Sequence, residues 1–249
     1  MKNIFTLCII LTFLSVKSQV QESVKIGNQE WTSENLSVSK FRNGDIINQS
    51  KNKEEWLRAG YREEPTWCYY KFDEADSILG KLYNYYAVSS EKNIAPLGWK
   101  VPDFFDYFQL IKFLDPLITY EHYLDRGTLA GGSLKSKNQS HWLENNCKQI
   151  DSKFNAIASG GYSPSINYPE YDWEVRERAY FWCITDWNKI ANVVFTADKF
   201  QDEKEHLMND IKNGKVTNKA LVFRLNKLCD FDIDDDPKER GYSVRLIRE

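Results

Sequence analysis

The side chains best suited to chemistry in this chain are carboxylates and aromatic rings. Asp230, Asp232, Asp234, Asp235 and Asp236 place acids at alternate positions. Alternating carboxylates in one loop can converge on a hard cation such as calcium. Asp230, Asp232, Asp234 and Asp236 are therefore the candidate calcium ligands. The run lacks the glycine and distal glutamate of an EF-hand, so a solvated acidic loop before the last strand stands beside that reading. The rings are abundant, with 8 Trp, 14 Tyr and 14 Phe, more than one loop or face requires. Flat rings stack on sugar faces while polar neighbours complete the hydrogen bonds. Residues 162–173 hold Tyr162, Tyr168, Tyr171 and Trp173 among Ser, Pro, Asn, Glu and Asp, and form the candidate ligand-facing loop. Trp31, Trp67, Trp99 and Trp182 are assigned to the core.

Catalytic signatures are scarce, and no catalytic residue is assigned. The histidines are His122, His141 and His206, and none stands in an H-E-x-x-H or other metal spacing. No G-x-S-x-G elbow occurs. Ala130-Gly131-Gly132-Ser133 lacks the Gly-Lys-Ser/Thr of a phosphate loop and reads as a tight turn. An acidic pair, Glu170 and Asp172, is the one candidate for glycoside chemistry, which requires two carboxylates across a scissile bond. Outside the N-terminal apolar run the cysteines are Cys68, Cys147, Cys183 and Cys229. Their wide spacings contain no C-x-x-C, so zinc is not expected. Buried thiols and a disulfide both remain open, and sequence cannot choose the pairing.

The elements that would position these groups are short. Val24-Lys-Ile, Gly27-Asn28 and Gln-Glu-Trp31 read as a hairpin around a Gly-Asn turn. Asn43-Gly44-Asp45 marks another turn. Residues 52–59 form a short helix stopped by Gly60, and 66–72 a strand packed on both sides. Phe104–Leu114 is the clearest helix: Asp103 caps it, Asp106 favours its positive end, and Phe104, Tyr107, Phe108, Ile111 and Leu114 share a face. Residues 199–212 form a second amphipathic helix ending before Gly214. Further strands are expected at 179–185, 193–196, 220–225 and 242–248, the last with one face buried. There is no low-complexity stretch, linker or internal repeat. The fold class is α+β in a single domain, with short strands, long loops and one or two well-formed helices.

The N-terminus carries an address. Lys2 precedes an uncharged apolar run at 4–14, eleven residues against the roughly 20 needed to span a bilayer. Val16 and Ser18 are small residues at −3 and −1 of a cut after Ser18. Residues 1–18 are therefore expected to be a signal peptide and 19–249 the mature domain. Loss of Lys2 and Lys17 shifts the net charge from −3 to −5. An acidic surface does not suit nucleic acid. No cysteine lies near the cut, so a lipid anchor is not expected. The protein is expected to be periplasmic or extracellular, and not integral to the membrane after cleavage.

Several segments in order carry a family resemblance: Ile26-Gly-Asn-Gln-Glu-Trp31, Glu34-Asn-Leu36, Arg42-Asn-Gly-Asp45, Trp67-Cys-Tyr-Tyr70 and Gly80-Lys-Leu-Tyr-Asn84. Ala95-Pro-Leu-Gly-Trp-Lys-Val-Pro102, Ala130-Gly-Gly-Ser-Leu-Lys-Ser136, Gly160-Gly-Tyr162 and Gly241-Tyr-Ser-Val-Arg245 continue it. Together they resemble the Fibrobacter succinogenes major paralogous domain, found in exported bacterial proteins. The resemblance implies a C-type-lectin-like fold and brings no catalytic residues. The expected function is a non-enzymatic, lectin-like module that binds carbohydrate or an envelope protein. The alternatives are a secreted glycan-active enzyme and a structural envelope protein. No cofactor is expected beyond calcium.

Overall fold

The computed structural model describes residues 22–119, 130–143, 151–164, 174–195 and 201–249. In chain order the strands are β1 (Ser23–Ile26), β2 (Gln29–Thr32), β3 (Asn48–Gln49), β4 (Thr66–Cys68), β5 (Leu82–Tyr83) and β6 (Trp99–Lys100). They continue as β7 (Arg178–Trp182), β8 (Lys219–Asn226), β9 (Phe231–Pro237) and β10 (Ile247–Arg248). The helices are α1 (Lys53–Tyr61), α2 (Tyr85–Val88), α3 (Phe104–Leu114), α4 (Ala130–Leu134), α5 (Trp187–Val194) and α6 (Gln201–Lys212). The fold is mixed α+β, with three small sheets ordered β1-β2-β10-β6, β3-β4-β5 and β7-β8-β9.

Local chemistry explains the elements read correctly from sequence. The first hairpin turns at Gly27, whose φ of +61° suits a residue without Cβ, and Ile26 pairs with Gln29. In α3, the Asp103 carboxylate accepts from the Asp106 amide while the Asp106 carboxylate accepts from the Asp103 amide, each at 2.9 Å. The buried face of α3 bridges two sheets. Tyr107 stacks on Phe223 of β8 at 4.5 Å and touches Trp31 of β2 at 5.1 Å. Trp31, Trp67, Trp99 and Trp182 are all buried.

Several expectations need correction. Gly60 lies inside α1, which runs one residue beyond it and is capped by Asn52. The strand at Thr66 ends at Cys68, because Lys71 and Phe72 take positive φ in a short 3-10 turn. Ala130–Leu134 is a short helix rather than a tight turn. The strand expected from Val193 is not there: Val193 and Val194 end α5, which Asp186 caps and which buries Ile190, Ala191 and Val194 at helical spacing. Helix α6, described over Gln201–Lys212, buries no residue fully; among its side chains Leu207 packs partly against the core.

The C-terminal segment differs most. Residues 241–247 are buried on every side, instead of alternating. Arg245 is the cause. Its guanidinium donates to the Asn35 side chain and to the carbonyls of Thr32, Phe154 and Asn155, all within 3.0 Å. Burial pulls its pKa down to about 9. Four acceptors hold the charge in place of a counter-ion, tying the first hairpin, residues 154–155 and the last segment together.

The sheet β7-β8-β9 sorts its two faces by strand alternation. Ala179, Phe181, Leu221, Phe223, Leu225, Phe231 and Ile233 enter one core cluster, while Tyr180, Trp182, Ala220 and Val222 enter another. On this second face the apolar packing runs out at Arg178, Arg224, Asn226, Asp232 and Asp234. That polar end holds the candidate site.

Candidate functional site

The acidic run is a strand, not a loop. Phe231 and Ile233 of β9 point into the core, and Asp232 and Asp234 point the other way. Asp232 lies opposite Arg224 in the β8–β9 register, and the Arg224 guanidinium reaches both Asp232 and Asp234. Asp235 pairs with Lys219 at 2.5 Å. Asp236 is buried and pairs with Arg240. Asp230 accepts from the Asn226 side-chain amide at 3.5 Å and lies near enough to the Lys135 amine to act on its charge. The four carboxylates read as calcium ligands thus face basic groups and an amide, three of them along β9 and Asp230 just before it. Among the described residues, no group of three or more His, Cys, Asp or Glu could hold a metal ion.

Of the aromatic candidates, Tyr162 is buried, edge-on to Trp56 at 5.3 Å and to Phe72 at 5.1 Å. Tyr168, Tyr171 and Trp173 lie outside the described residues, as do Glu170, Asp172 and His122. His141 is bonded through Nδ1 to Ser136 at 2.8 Å, and His206 is exposed on α6. Cys68 and Cys183 are free, buried thiols, whereas Cys229 is disulfide-bonded to a partner outside the described residues.

Two adjoining clefts open on the polar end of β7-β8-β9. The smaller, about 180 Å³, is lined by Gly161, Ser163, Glu174, Arg178, Tyr180, Arg224, Arg240 and Tyr242. The larger, about 380 Å³, shares Arg178 and Arg224 with it and adds Asn226, Asp230 and Asp232.

The smaller cleft is built from one short pattern used twice. Glu174, Arg178 and Tyr180 stand at the same spacings as Asp236, Arg240 and Tyr242, within Glu-Val-Arg-Glu-Arg-Ala-Tyr and Asp-Pro-Lys-Glu-Arg-Gly-Tyr. In each copy the acid opens a tight turn: the Arg178 amide donates to the Glu174 carbonyl, and the Arg240 amide to that of Pro237. One turn later the arginine lies beside the acid. Two extended residues further, the tyrosine returns to the same side. The Arg178 and Arg240 Nη1 groups donate to the Tyr180 and Tyr242 hydroxyls at 3.3 Å in both copies. Those hydroxyls donate onward, Tyr180 to Glu174 and Tyr242 to Asp236, the latter at 2.8 Å. The copies run parallel, bridged between Phe181 and Ser243. The repeat escaped the sequence reading, which took the two tyrosines separately as strand residues; aligning the two seven-residue segments would have found it.

Electrostatics make this a balanced site. Burial pushes the Tyr180 hydroxyl up, and Glu174 adds to it. Burial also pushes Tyr242 up, helped by Asp236. Burial raises the Asp236 carboxyl above its ordinary range, against the pull of Arg240 and Tyr242. For Arg224 burial works downward, but Asp232 and Asp234 together outweigh it and hold the cation firmly. Every guanidinium in the cleft is matched by a carboxylate, and both hydroxyls stay protonated at neutral pH. Such a surface offers donors and acceptors together.

Fold and site define an α+β domain with a polar, charge-balanced cleft at a sheet end. The family model of the Fibrobacter succinogenes major domain matches residues 24–248, and the chain belongs to that family. No curated protein and no solved structure matches the chain. Among the described residues no helix is long and apolar enough to cross a membrane.

Proposed function

We propose that the protein is an exported, lectin-like module that binds carbohydrate through the cleft between Glu174 and Asp232. One observation carries this reading: Arg178, Arg224 and Arg240 converge on the cleft with their carboxylates beside them. Sugar hydroxyls both donate and accept, so a surface of paired carboxylates and guanidiniums satisfies them without a charged group on the ligand. The two clefts together reach the size range of small-ligand sites, about 300–1,000 Å³. Ser163 and Glu174, which flank the stretch containing Tyr168, Tyr171 and Trp173, both line the smaller cleft, so those rings are proposed as a second set of sugar contacts.

Export through residues 1–18 and a C-type-lectin-like arrangement belong to the same proposal. The run of small and apolar residues at the N-terminus supports the first. The pairing of β2 with β10, which joins the two ends of the domain in one sheet, supports the second. The test is a glycan array probed with the purified protein and with Arg224→Ala. Retention on a defined set of glycans, lost in the variant, is expected. Retention on none, or equal retention by both proteins, would overturn the reading.

A further inference from the structure

The twin pattern narrows what kind of sugar the cleft takes, given that it binds sugar at all. On Arg178 and Arg240, every ion pair and hydrogen bond shown by the side chain runs through Nη1. The Nε–H and Nη2 edges of both guanidiniums therefore have no protein partner among the described residues. Both side chains are part-exposed, 44% for Arg178 and 33% for Arg240, so these edges can meet a ligand. They belong to parallel copies whose tyrosine rings stack 4.7 Å apart, and they flank one cleft the size of a single sugar ring.

An anionic ligand would meet four obstacles. Glu174, Asp232, Asp234 and Asp236 already neutralise the three guanidiniums, and like charges brought together in a half-buried site repel. A cationic ligand would meet the guanidiniums. A neutral ring bearing several hydroxyls meets neither penalty. It accepts from the free arginine edges and donates to carboxylate lone pairs left over from the ion pairs. The adjoining larger cleft, reached past Arg178 and Arg224, gives a second unit somewhere to go.

We propose that the two Glu/Asp–Arg–Tyr copies clamp one neutral sugar unit between them, and that the chain of an uncharged oligosaccharide continues into the neighbouring cleft. This rests on the carbohydrate-binding reading and specifies its ligand as uncharged and at least two units long.

The test is calorimetric titration of the purified protein with uncharged disaccharides (cellobiose, maltose, lactose and N,N′-diacetylchitobiose), with their monosaccharides, and with digalacturonate. At least one neutral disaccharide is expected to bind more tightly than its monosaccharide and than digalacturonate, with an affinity unchanged between low and high salt. Arg178→Gln and Arg240→Gln should each weaken that binding by roughly tenfold, the loss of one hydrogen bond from a charged group. Should either variant fail to fold, phenylglyoxal modification of the unaltered protein gives the same answer: the neutral disaccharide should slow the reaction of Arg178 and Arg240. Preference for digalacturonate with salt-weakened affinity would overturn the neutral-ligand inference and leave carbohydrate binding standing. Neutral binding that neither variant weakens, or that leaves both arginines reactive, would overturn the clamp. Binding to none of the sugars here, together with a blank glycan array, would remove the carbohydrate reading itself.

Discussion

Tyr180 and Tyr242 stack with ring centroids 4.7 Å apart and planes 17° from parallel. Each ends in a hydroxyl that donates to an acid six positions earlier in its own segment, Glu174 for one and Asp236 for the other. The stack joins β7 to the buried C-terminal segment. It also fixes the two arginines at the cleft, because each guanidinium bonds the hydroxyl of its own copy. Packing and site are therefore one construction.

Gly161 is the roof of that construction. A Cβ there would lie 2.4 Å from Tyr242 Cε1 and 3.2 Å from Tyr180 Cδ2. Both rings are buried and cannot retreat. Gly161→Ala should cost about 1–3 kcal/mol in stability, read from urea unfolding, and should weaken ligand binding as well. Unchanged stability would show that the stack can slide.

Asp103 holds the start of α3. Its carboxylate accepts from the Asp106 amide and lies 3.2 Å from the Lys189 amine. Asp103→Ala should lower stability by about 1 kcal/mol, and Asp103→Asn by less, since asparagine still caps. Denaturant midpoints of the two variants check the order. Equal losses would move the effect from the cap to the ion pair.

Lys135 gives a pH signature. Its amine is buried, donates to the Lys227 and Leu228 carbonyls at 2.9 and 2.6 Å, and sits 4.3 Å over the Trp142 ring. Burial pulls its pKa from 10.5 to about 8, with Asp230 pulling the other way. The unfolded chain thus binds more protons between those two values, so the contribution to stability rises with pH through that window. The stability difference between the protein and Lys135→Met should grow as pH rises from about 8 toward 10, by at most about 3 kcal/mol. Subtracting the variant removes the parallel contribution of Lys81, whose pKa burial also lowers to about 8. A flat difference would contradict the burial of the Lys135 amine.

Cys68 and Cys183 should be inert to thiol reagents until the protein unfolds. Both are fully buried, and burial pushes both thiols well above their ordinary pKa. Cys229→Ser should instead destabilise by about 2–4 kcal/mol through loss of its disulfide. Labelling with a thiol-specific mass tag under native and denaturing conditions separates the two kinds. Fast native labelling of Cys68 or Cys183 would refute their placement.

What the sequence revealed follows from how local each signal is. The Gly27 hairpin and α3 are set by residues within a few positions of one another, and both were legible. Helix α5 was misread because 193–196 looks β-branched in isolation, while its cap, Asp186, lies well upstream. The acidic run was read as a loop because charges usually mark solvent. Phe231 and Ile233 alternate with the acids, however, and Arg224 and Arg240 neutralise them from other segments. The segment 242–248 was read as half-buried because the four acceptors that let Arg245 be buried come from residues distant in the chain. The cleft was hidden for the same reason. Its two copies lie far apart in sequence, and the parallel bridge at Phe181 and Ser243 and the Tyr180–Tyr242 stack bring them together.

Hydrogen–deuterium exchange of the purified protein, with and without a glycan that it retains on the array, tests the cleft most directly. Carbohydrate binding there predicts slowed exchange in β7, at the β8–β9 turn and around Arg240–Tyr242, with exchange unchanged in α1 and β3. Protection centred on α1 and β3, or no protection at saturating glycan, would contradict it.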